Sequence, residues 1–314
     1  MILLIKNIGL LILGFLMLIK GADWLVEGAS GIAKRLGIPA LVVGLTIVAM
    51  GTSAPEAAVS ITSALKGSVD IAVGNVLGSN ILNILIILGV TSCITPLLIK
   101  ETTVKYELPF MIAVSIIFSI IGLQNEVIGI KGGLILWALF IAYLSYLFIM
   151  TKKGFIEAEE EDQIAHLRTI PILLFLTVIG IVIVVLGSNF AVDGASGIAK
   201  YFGVSERIIG LTIVALGTSL PELVTSVTAA KRGKADIAIG NIVGSNIFNI
   251  LFVIGTSAII TPVAYQSKFI IDSIVAIVAC VLLYLCVFKD HELSRWGGIT
   301  MLIAYAIYFV YLIL

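Results

Sequence analysis

Charge is scarce in this sequence. Asp, Glu, Lys and Arg make up 12% of its 314 residues, where a soluble domain carries about a quarter. That excludes a solvated globule. Histidine (two) and cysteine (three) are nearly absent as well. Cys93, Cys280 and Cys286 sit in or beside apolar runs, at spacings that fit neither a metal cluster nor a disulfide framework. His166 and His291 fall in charged loops, where a side chain is solvated. Nineteen basic residues balance nineteen acidic ones, and no nucleic-acid partner is expected. Hydrophilic stretches are missing too. The one of any length is TKKGFIEAEEEDQIAHLR at 151–168, too short for a folded domain.

What abounds is apolar surface. Hydrophobic residues make up 60% of the chain, with a mean hydropathy of +1.19. Apolar runs of about 20 residues recur, the length that spans a bilayer as a helix. They are continuous rather than alternating, which implies helices and not a barrel, because backbone in lipid must satisfy its own hydrogen bonds. The expected class is an all-α polytopic membrane protein embedded in a lipid bilayer. Ten spans are expected, at 8–33, 38–65, 70–98, 106–123, 127–151, 169–199, 205–230, 236–262, 268–288 and 295–313. The first lacks a small-residue cleavage site and reads as a span, not a removed signal peptide. Residues 1–151 and 169–314 then form two five-helix halves joined by a short loop at 152–168.

The halves are copies. Residues 21–97 align with 187–263 at a constant offset of 166 and no gap, with 41 of 77 positions identical. GLTIVAMGTSAPE (44–56) and GNVLGSNILNI (74–84) return as GLTIVALGTSLPE (210–222) and GNIVGSNIFNI (240–250). Identities concentrate on Gly, Ser, Thr, Asn, Pro and Glu, so what repeats is a polar apparatus inside an apolar chain. An odd number of spans per half makes the second copy enter the membrane from the opposite side, an inverted-topology pair of the kind found in secondary transporters. Twelve Lys and Arg lie in or beside the odd-numbered connections against six on the other side. The positive-inside rule therefore predicts both termini outside and the 152–168 loop in the cytoplasm of a cell whose plasma membrane holds the protein.

The second and seventh spans carry GTSAPE (51–56) and GTSLPE (217–222) near mid-membrane. Pro55 and Pro221 lack an N–H and clash with the carbonyl four residues earlier, at Gly51 and Gly217, so each helix is expected to break there. The carbonyl end of one half-helix, from Ala49 and Ala215 onward, suits a cation. Glu56 and Glu222 occupy the first turn of the next half-helix, whose positive end favours a carboxylate. Ser79 with Asn83, and Ser245 with Asn249, are spaced i, i+4 and share one helix face. The set is two carboxylates, hydroxyls, amide oxygens and carbonyls. Such hard oxygens suit Ca²⁺, Mg²⁺ or Na⁺. A site that collapses around six to eight of them favours Ca²⁺ over Mg²⁺. One Ca²⁺ neutralises the two carboxylates, and several Na⁺ could replace it, which is the logic of antiport.

At GTSxPE and GSNxxN the chain resembles the cation/calcium antiporter superfamily, in its sodium/calcium exchanger branch. The resemblance covers both repeats, at 38–98 and 205–262, and implies Na⁺-driven Ca²⁺ transport by alternating access, with the first and sixth spans sliding on the rest. It implies a central site at Glu56 and Glu222. Thr52, Ser53, Thr218, Ser219, Ser79 and Ser245 become ligands for Ca²⁺ or flanking Na⁺, Ala49 and Ala215 offer carbonyls, and Asn83 and Asn249 complete the centre. Some relatives, potassium-dependent exchangers among them, carry Asp where this chain has Asn249, which argues against K⁺ co-transport here. The expected function is a transporter, not an enzyme, needing no cofactor beyond the transported Ca²⁺ and Na⁺, and working as a monomer without a protein partner. The alternatives are H⁺-coupled or other cation/Ca²⁺ exchange, a passive cation channel, or an intramembrane hydrolase using Ser53 or Ser219; the last lacks a base in GTSxPE.

Outside the site, Asp23 and Glu27 are i, i+4 neighbours expected on a solvated face, and Asp236 is expected at a helix N-terminus. The acidic run 157–162 lacks EF-hand ligand spacing and reads as a solvated loop.

Overall fold

A computed structural model describes residues 2–66, 69–153, 168–204 and 215–313. The apolar runs fold as helices: α1 (Leu3–Leu36), α2 (Ala40–Thr52), α3 (Ala54–Leu65), α4 (Ile71–Ile94), α5 (Thr103–Gln124), α6 (Ile130–Lys152) and α7 (Ile170–Tyr201). After them come α8 (Ala215–Thr218), α9 (Leu220–Lys231), α10 (Ala235–Ile260), α11 (Phe269–Val287) and α12 (Arg295–Leu312). Eight of these are long and apolar enough to cross a membrane, and α2 with α3 makes a ninth, bent by 51°. The structure therefore holds nine spans among the described residues rather than the ten expected. The seventh expected span, 205–230, is described only from Ala215 onward, as α8 and α9. The loop at 157–162 lies outside the described residues, as does His166.

Local chemistry sets the helix ends. The chain leaves α1 through Gly37 at φ 63° and leaves α7 through Gly203 at φ 81°. That left-handed conformation suits glycine, and it lets the amides of Ile38 and Val204 reach back to the Ala33 and Ala199 carbonyls. Lys34 and Arg35 in the last turn of α1, and Lys200 in that of α7, meet the negative ends of their dipoles.

α1 and α7 pack lengthwise along a glycine seam. Gly14 faces Gly187 and Ala191, Gly21 faces Gly180 and Val184, and Gly28 faces Leu173 and Thr177. The pairing order reverses along the two helices, so they run antiparallel. A Cβ on Gly187 would lie 2.8 Å from the Leu18 backbone nitrogen. Only glycine admits this approach, which in lipid supplies the van der Waals contact that holds helices together. The sequence pattern of glycines every seven residues (14, 21, 28 and 180, 187, 194) was the signal for it.

α4 and α10 form the centre; almost all of α10 is buried. Gly240 and Gly244 bring α10 onto α2: a Cβ on Gly240 would lie 2.8 Å from the Leu41 carbonyl oxygen. The helices are not the whole structure. Among the described residues, four two-residue strands, which the all-helical expectation omitted, tie the ends: β1 (Leu97–Leu98), β2 (Val127–Ile128), β3 (Val263–Ala264) and β4 (Glu292–Leu293). β1 pairs antiparallel with β4, and β2 with β3. β1 and β3 occupy the same place in the two repeats, yet they sit in different sheets, and β1 and β2 lie at opposite ends of α5. Two-residue strands are invisible to period-two hydropathy, which needs about four residues to register.

Candidate functional site

Ser53 is the single residue between α2 and α3, at φ −82° and ψ 8°, and Ser219 is its counterpart between α8 and α9 at φ −92° and ψ 2°. Each proline sits just beyond, at the start of the following helix, so the break is a sharp bend and not an unwound stretch. The bend is tight enough that Ser53 N–H still donates to the Ala49 carbonyl at 3.0 Å. The Ala49 carbonyl, expected at the open end of its half-helix, also accepts from Thr52 Oγ1 at 3.3 Å and Ser245 Oγ at 3.4 Å. On the other side Ser188 Oγ of α7 donates to the Gly217 carbonyl at 2.5 Å. Ala215 begins α8.

The bends bring the two carboxylates together with the hydroxyls of the opposite half. Ser53 Oγ donates to Glu222 Oε1 at 2.8 Å, and Ser219 Oγ to Glu56 Oε1 at 3.4 Å. Ser79 Oγ reaches Glu56 Oε1 at 3.5 Å. Thr52, Ser53, Glu56, Ser79, Asn83, Ser219, Glu222, Ser245 and Asn249 are all buried. Thr218 is half-buried. Its counterpart Thr52 donates to Asn241 Oδ1 at 2.9 Å.

Asparagines join α4 to α10 in a reciprocal ring. Asn83 Nδ2 donates to Asn246 Oδ1 at 2.9 Å, and Asn249 Nδ2 to Asn80 Oδ1 at 3.1 Å. Asn80 Nδ2 donates to the Asn246 carbonyl at 3.1 Å, and Asn246 Nδ2 to the Asn80 carbonyl at 3.2 Å. A second pair holds the glutamate helices: Asn75 Nδ2 donates to Ser60 Oγ and Asn241 Nδ2 to Ser226 Oγ, both at 3.0 Å. The same amides reach the Glu56 and Glu222 backbone carbonyls at 3.3 and 3.4 Å. Sequence reasoning did not single out Asn75, Asn80, Asn241, Asn246, Ser60 or Ser226, although each is identical across the 166-residue offset. The offset itself was the available signal.

Four buried oxygens in this cluster receive no hydrogen bond: Glu56 Oε2, Glu222 Oε2, Asn83 Oδ1 and Asn249 Oδ1. Buried polar atoms are rarely left without a partner, and these are acceptors alone, in two symmetric pairs. No group of three or more His, Cys, Asp or Glu is present among the described residues. The donor set is therefore hard oxygen, with two carboxylates at its centre and amide and hydroxyl oxygens around them, which fits a Ca²⁺- or Na⁺-like cation. Among the described residues, ion pairs lie away from it, at Lys100–Asp236 (2.8 Å), Arg168–Glu27 (2.9 Å) and Arg232–Asp23 (2.7 Å). Asp23 and Glu27 are partly exposed as expected, and paired; Asp236 is in the first turn of its helix.

Comparison with known proteins agrees with this geometry. A family model described as sodium/calcium exchanger protein matches residues 6–149 and again residues 172–314, one match per half. The chain is 36% identical over 305 residues to the inner membrane protein YrbG of Escherichia coli, covering 93% of this chain and 92% of that one. It is 31% identical over 344 residues to the sodium/calcium exchanger MaX1 of Methanosarcina acetivorans, covering 98% of each. Among solved structures it matches the sodium-calcium exchanger NCX_Mj soaked with zero Na⁺ and Ca²⁺, with a TM-score of 0.86 and 32% identity over 98% of this chain and 99% of that one. This chain belongs to the sodium/calcium exchanger family and is a helical, multi-pass membrane transporter.

Proposed function

We propose that this transporter exchanges Na⁺ for Ca²⁺ by alternating access at a site centred on Glu56 and Glu222. The observation that carries the reading is the set of four buried acceptor oxygens, two carboxylate and two amide, that no donor satisfies. Thr52, Ser53, Ser79, Ser219 and Ser245 supply hydroxyls at the same place. Thr218 and the Ala49 and Ala215 carbonyls would join when an ion draws the bends of the broken helices inward. Gly51, Pro55, Gly217 and Pro221 make those bends. One Ca²⁺ balances the two carboxylates; when it leaves, their repulsion in a low-dielectric site makes Na⁺ entry favourable, so the occupants exclude one another.

The chain is read as ten spans in two inverted five-helix repeats, 1–151 and 169–314, joined by a cytoplasmic loop at 152–168, with both termini outside the cell membrane. Three features support it. Equivalent helices α1 and α7 run antiparallel, equivalent strands β1 and β3 fall in different sheets, and the asparagine ring is reciprocal. The glycine seam of α1 and α7 presents few side-chain knobs, which suits a pair that slides as a unit. Each protomer contains a complete site, so a monomer suffices, and no cofactor or protein partner enters.

The test is flux into proteoliposomes. Ca²⁺ uptake is expected to require an outward Na⁺ gradient, to be indifferent to imposed H⁺ and K⁺ gradients, and to cease in Glu56→Gln. Uptake that ignores the Na⁺ gradient would sink the antiport reading in favour of a passive pathway. Uptake driven by the H⁺ gradient instead would replace the coupling ion.

A further inference from the structure

A second group of buried, unsatisfied polar atoms lies away from the ion site, where α5 begins. Glu107 Oε2, Thr103 Oγ1, Thr102 Oγ1 and Tyr143 OH have no hydrogen-bond partner among the described residues. Glu107 itself is 1% exposed, and Tyr146 OH donates to its other oxygen at 2.5 Å. The group is not duplicated in register. At the 166-residue offset, Glu107 becomes Ser273, whose hydroxyl bonds Tyr265 OH at 2.6 Å and closes that position. The second half carries its acid one residue earlier, at Asp272, which accepts from Tyr308 OH at 2.8 Å; neither acid is bonded to the Glu56–Glu222 cluster.

Glu107 lines a cavity of about 340 Å³ between α5 and α6, with Tyr106, Phe110, Ala142, Tyr143 and Tyr146. Phe110 and Tyr143 stack with ring centroids 5.3 Å apart, and Tyr106 and Tyr146 lie 6.4 Å apart at 52°. The cavity opens beside Tyr106 and Ala142, both exposed on the apolar outer surface. Aromatic walls around a carboxylate are the chemistry that receives an organic ammonium group. A bare metal ion needs several polar ligands, and these walls are almost wholly apolar. Carboxylates buried in membrane-spanning helices are functional by default, and none of the ion pairs among the described residues involves this one.

Depth and charge select the carrier of the ammonium. Glu107 is four residues into α5, about 6 Å from its start at 1.5 Å per residue, the level of lipid headgroups. Lys105, exposed and with its Nζ 5.6 Å over the Tyr106 ring, flanks the opening. A cation and an anion on either side of Tyr106 complement a zwitterion, with a phosphate toward Lys105 and an ammonium toward Glu107. We propose that the α5–α6 cavity is a binding site for a zwitterionic lipid headgroup bearing a primary ammonium, received by Glu107 within the tyrosine walls.

The test is native mass spectrometry of the full chain in detergent, titrated with phosphatidylethanolamine and phosphatidylglycerol of matched acyl chains. Wild type is expected to retain the ethanolamine lipid in preference. Glu107→Gln is expected to weaken that retention roughly tenfold, the worth of one charge-assisted hydrogen bond, and to leave the glycerol lipid unchanged. Unchanged ethanolamine-lipid retention in Glu107→Gln, or equal loss of both lipids, overturns the proposal. So does a Glu107-dependent adduct with Ca²⁺ or with free decylammonium in a protein that shows no preference between the lipids. Should Glu107→Gln not fold, Ala142→Trp fills the cavity from the exposed face and is expected to abolish the preference; a preference that survives it overturns the proposal equally.

Discussion

The two halves of the candidate ion site share nearly every polar residue and yet are bonded differently. Glu222 accepts one short hydrogen bond, from Ser53 at 2.8 Å, while Glu56 accepts two long ones, from Ser219 at 3.4 Å and Ser79 at 3.5 Å. Thr52 donates to Asn241 Oδ1 at 2.9 Å and is buried, while Thr218 is only half-buried. The Gly217 carbonyl is capped by Ser188, whereas the 166-residue offset puts Ala22 opposite Gly51, with no hydroxyl to give. Duplication therefore fixes which groups are present, and the unmatched neighbours decide how tightly each half is held. A cation drawn to this site meets a stiffer Glu222 side and a looser Glu56 side.

The largest effect tests whether the halves are equal where it matters most. Glu222→Gln and Glu56→Gln each remove one of the two charges that balance Ca²⁺. Both are expected to weaken Ca²⁺ binding by about thirtyfold or more, since losing one member of a buried charge pair costs ~2–5 kcal/mol, measured as the Ca²⁺ dependence of uptake into Na⁺-loaded vesicles. A glutamate whose loss left that dependence intact would mark one half as vestigial.

A smaller effect is expected from Asn249→Asp, which gives the second half a carboxylate the first lacks at Asn83. It adds a charge beside an unsatisfied oxygen and removes the donor to Asn80 Oδ1. Ca²⁺ affinity is expected to rise, while thermal unfolding in the absence of ions shows a loss of about 1–3 kcal/mol from the orphaned acceptor. Asn83→Asp should mirror it through Asn246; unequal responses would locate further asymmetry in the ring.

Ser188→Ala makes the second half resemble the first. Freeing the Gly217 carbonyl is expected to cost about 1 kcal/mol in stability, read as a lower unfolding midpoint, and to change the Na⁺ dependence of transport more than its Ca²⁺ dependence. The smallest change belongs to Asp23→Asn, which copies the residue already present at 189. Arg232 and Asp23 are 39% and 28% exposed, so removing the pair is expected to alter stability by no more than about 1 kcal/mol, and less at high salt. A larger loss would show that the pair latches α1 to α9.

Much of this was legible before any coordinates. Gly51, Pro55, Gly217 and Pro221 announced the bends because proline chemistry is local. Glu56 and Glu222 stood out because carboxylates in apolar runs are costly to bury. Asn75, Asn80, Asn241 and Asn246 were visible as repeats but not as a network, because an amide's partner on another helix leaves no trace in spacing. Ala49 was read as part of the open carbonyl end of a half-helix, but a one-residue bend leaves its carbonyl in reach of the Ser53 amide. The four two-residue strands fall below any periodic signal.

The sequence by itself determined the membrane-embedded helical class, the duplication and the oxygen-only character of the site, because each follows from which residues occur and how far apart they sit along one helix. Only the tertiary structure decided that serines of one half serve the glutamate of the other, that α1 and α7 meet along glycines, and that Glu107 lines an aromatic cavity. Those facts depend on distances between helices, and a linear order of residues constrains such distances only after the chain has packed.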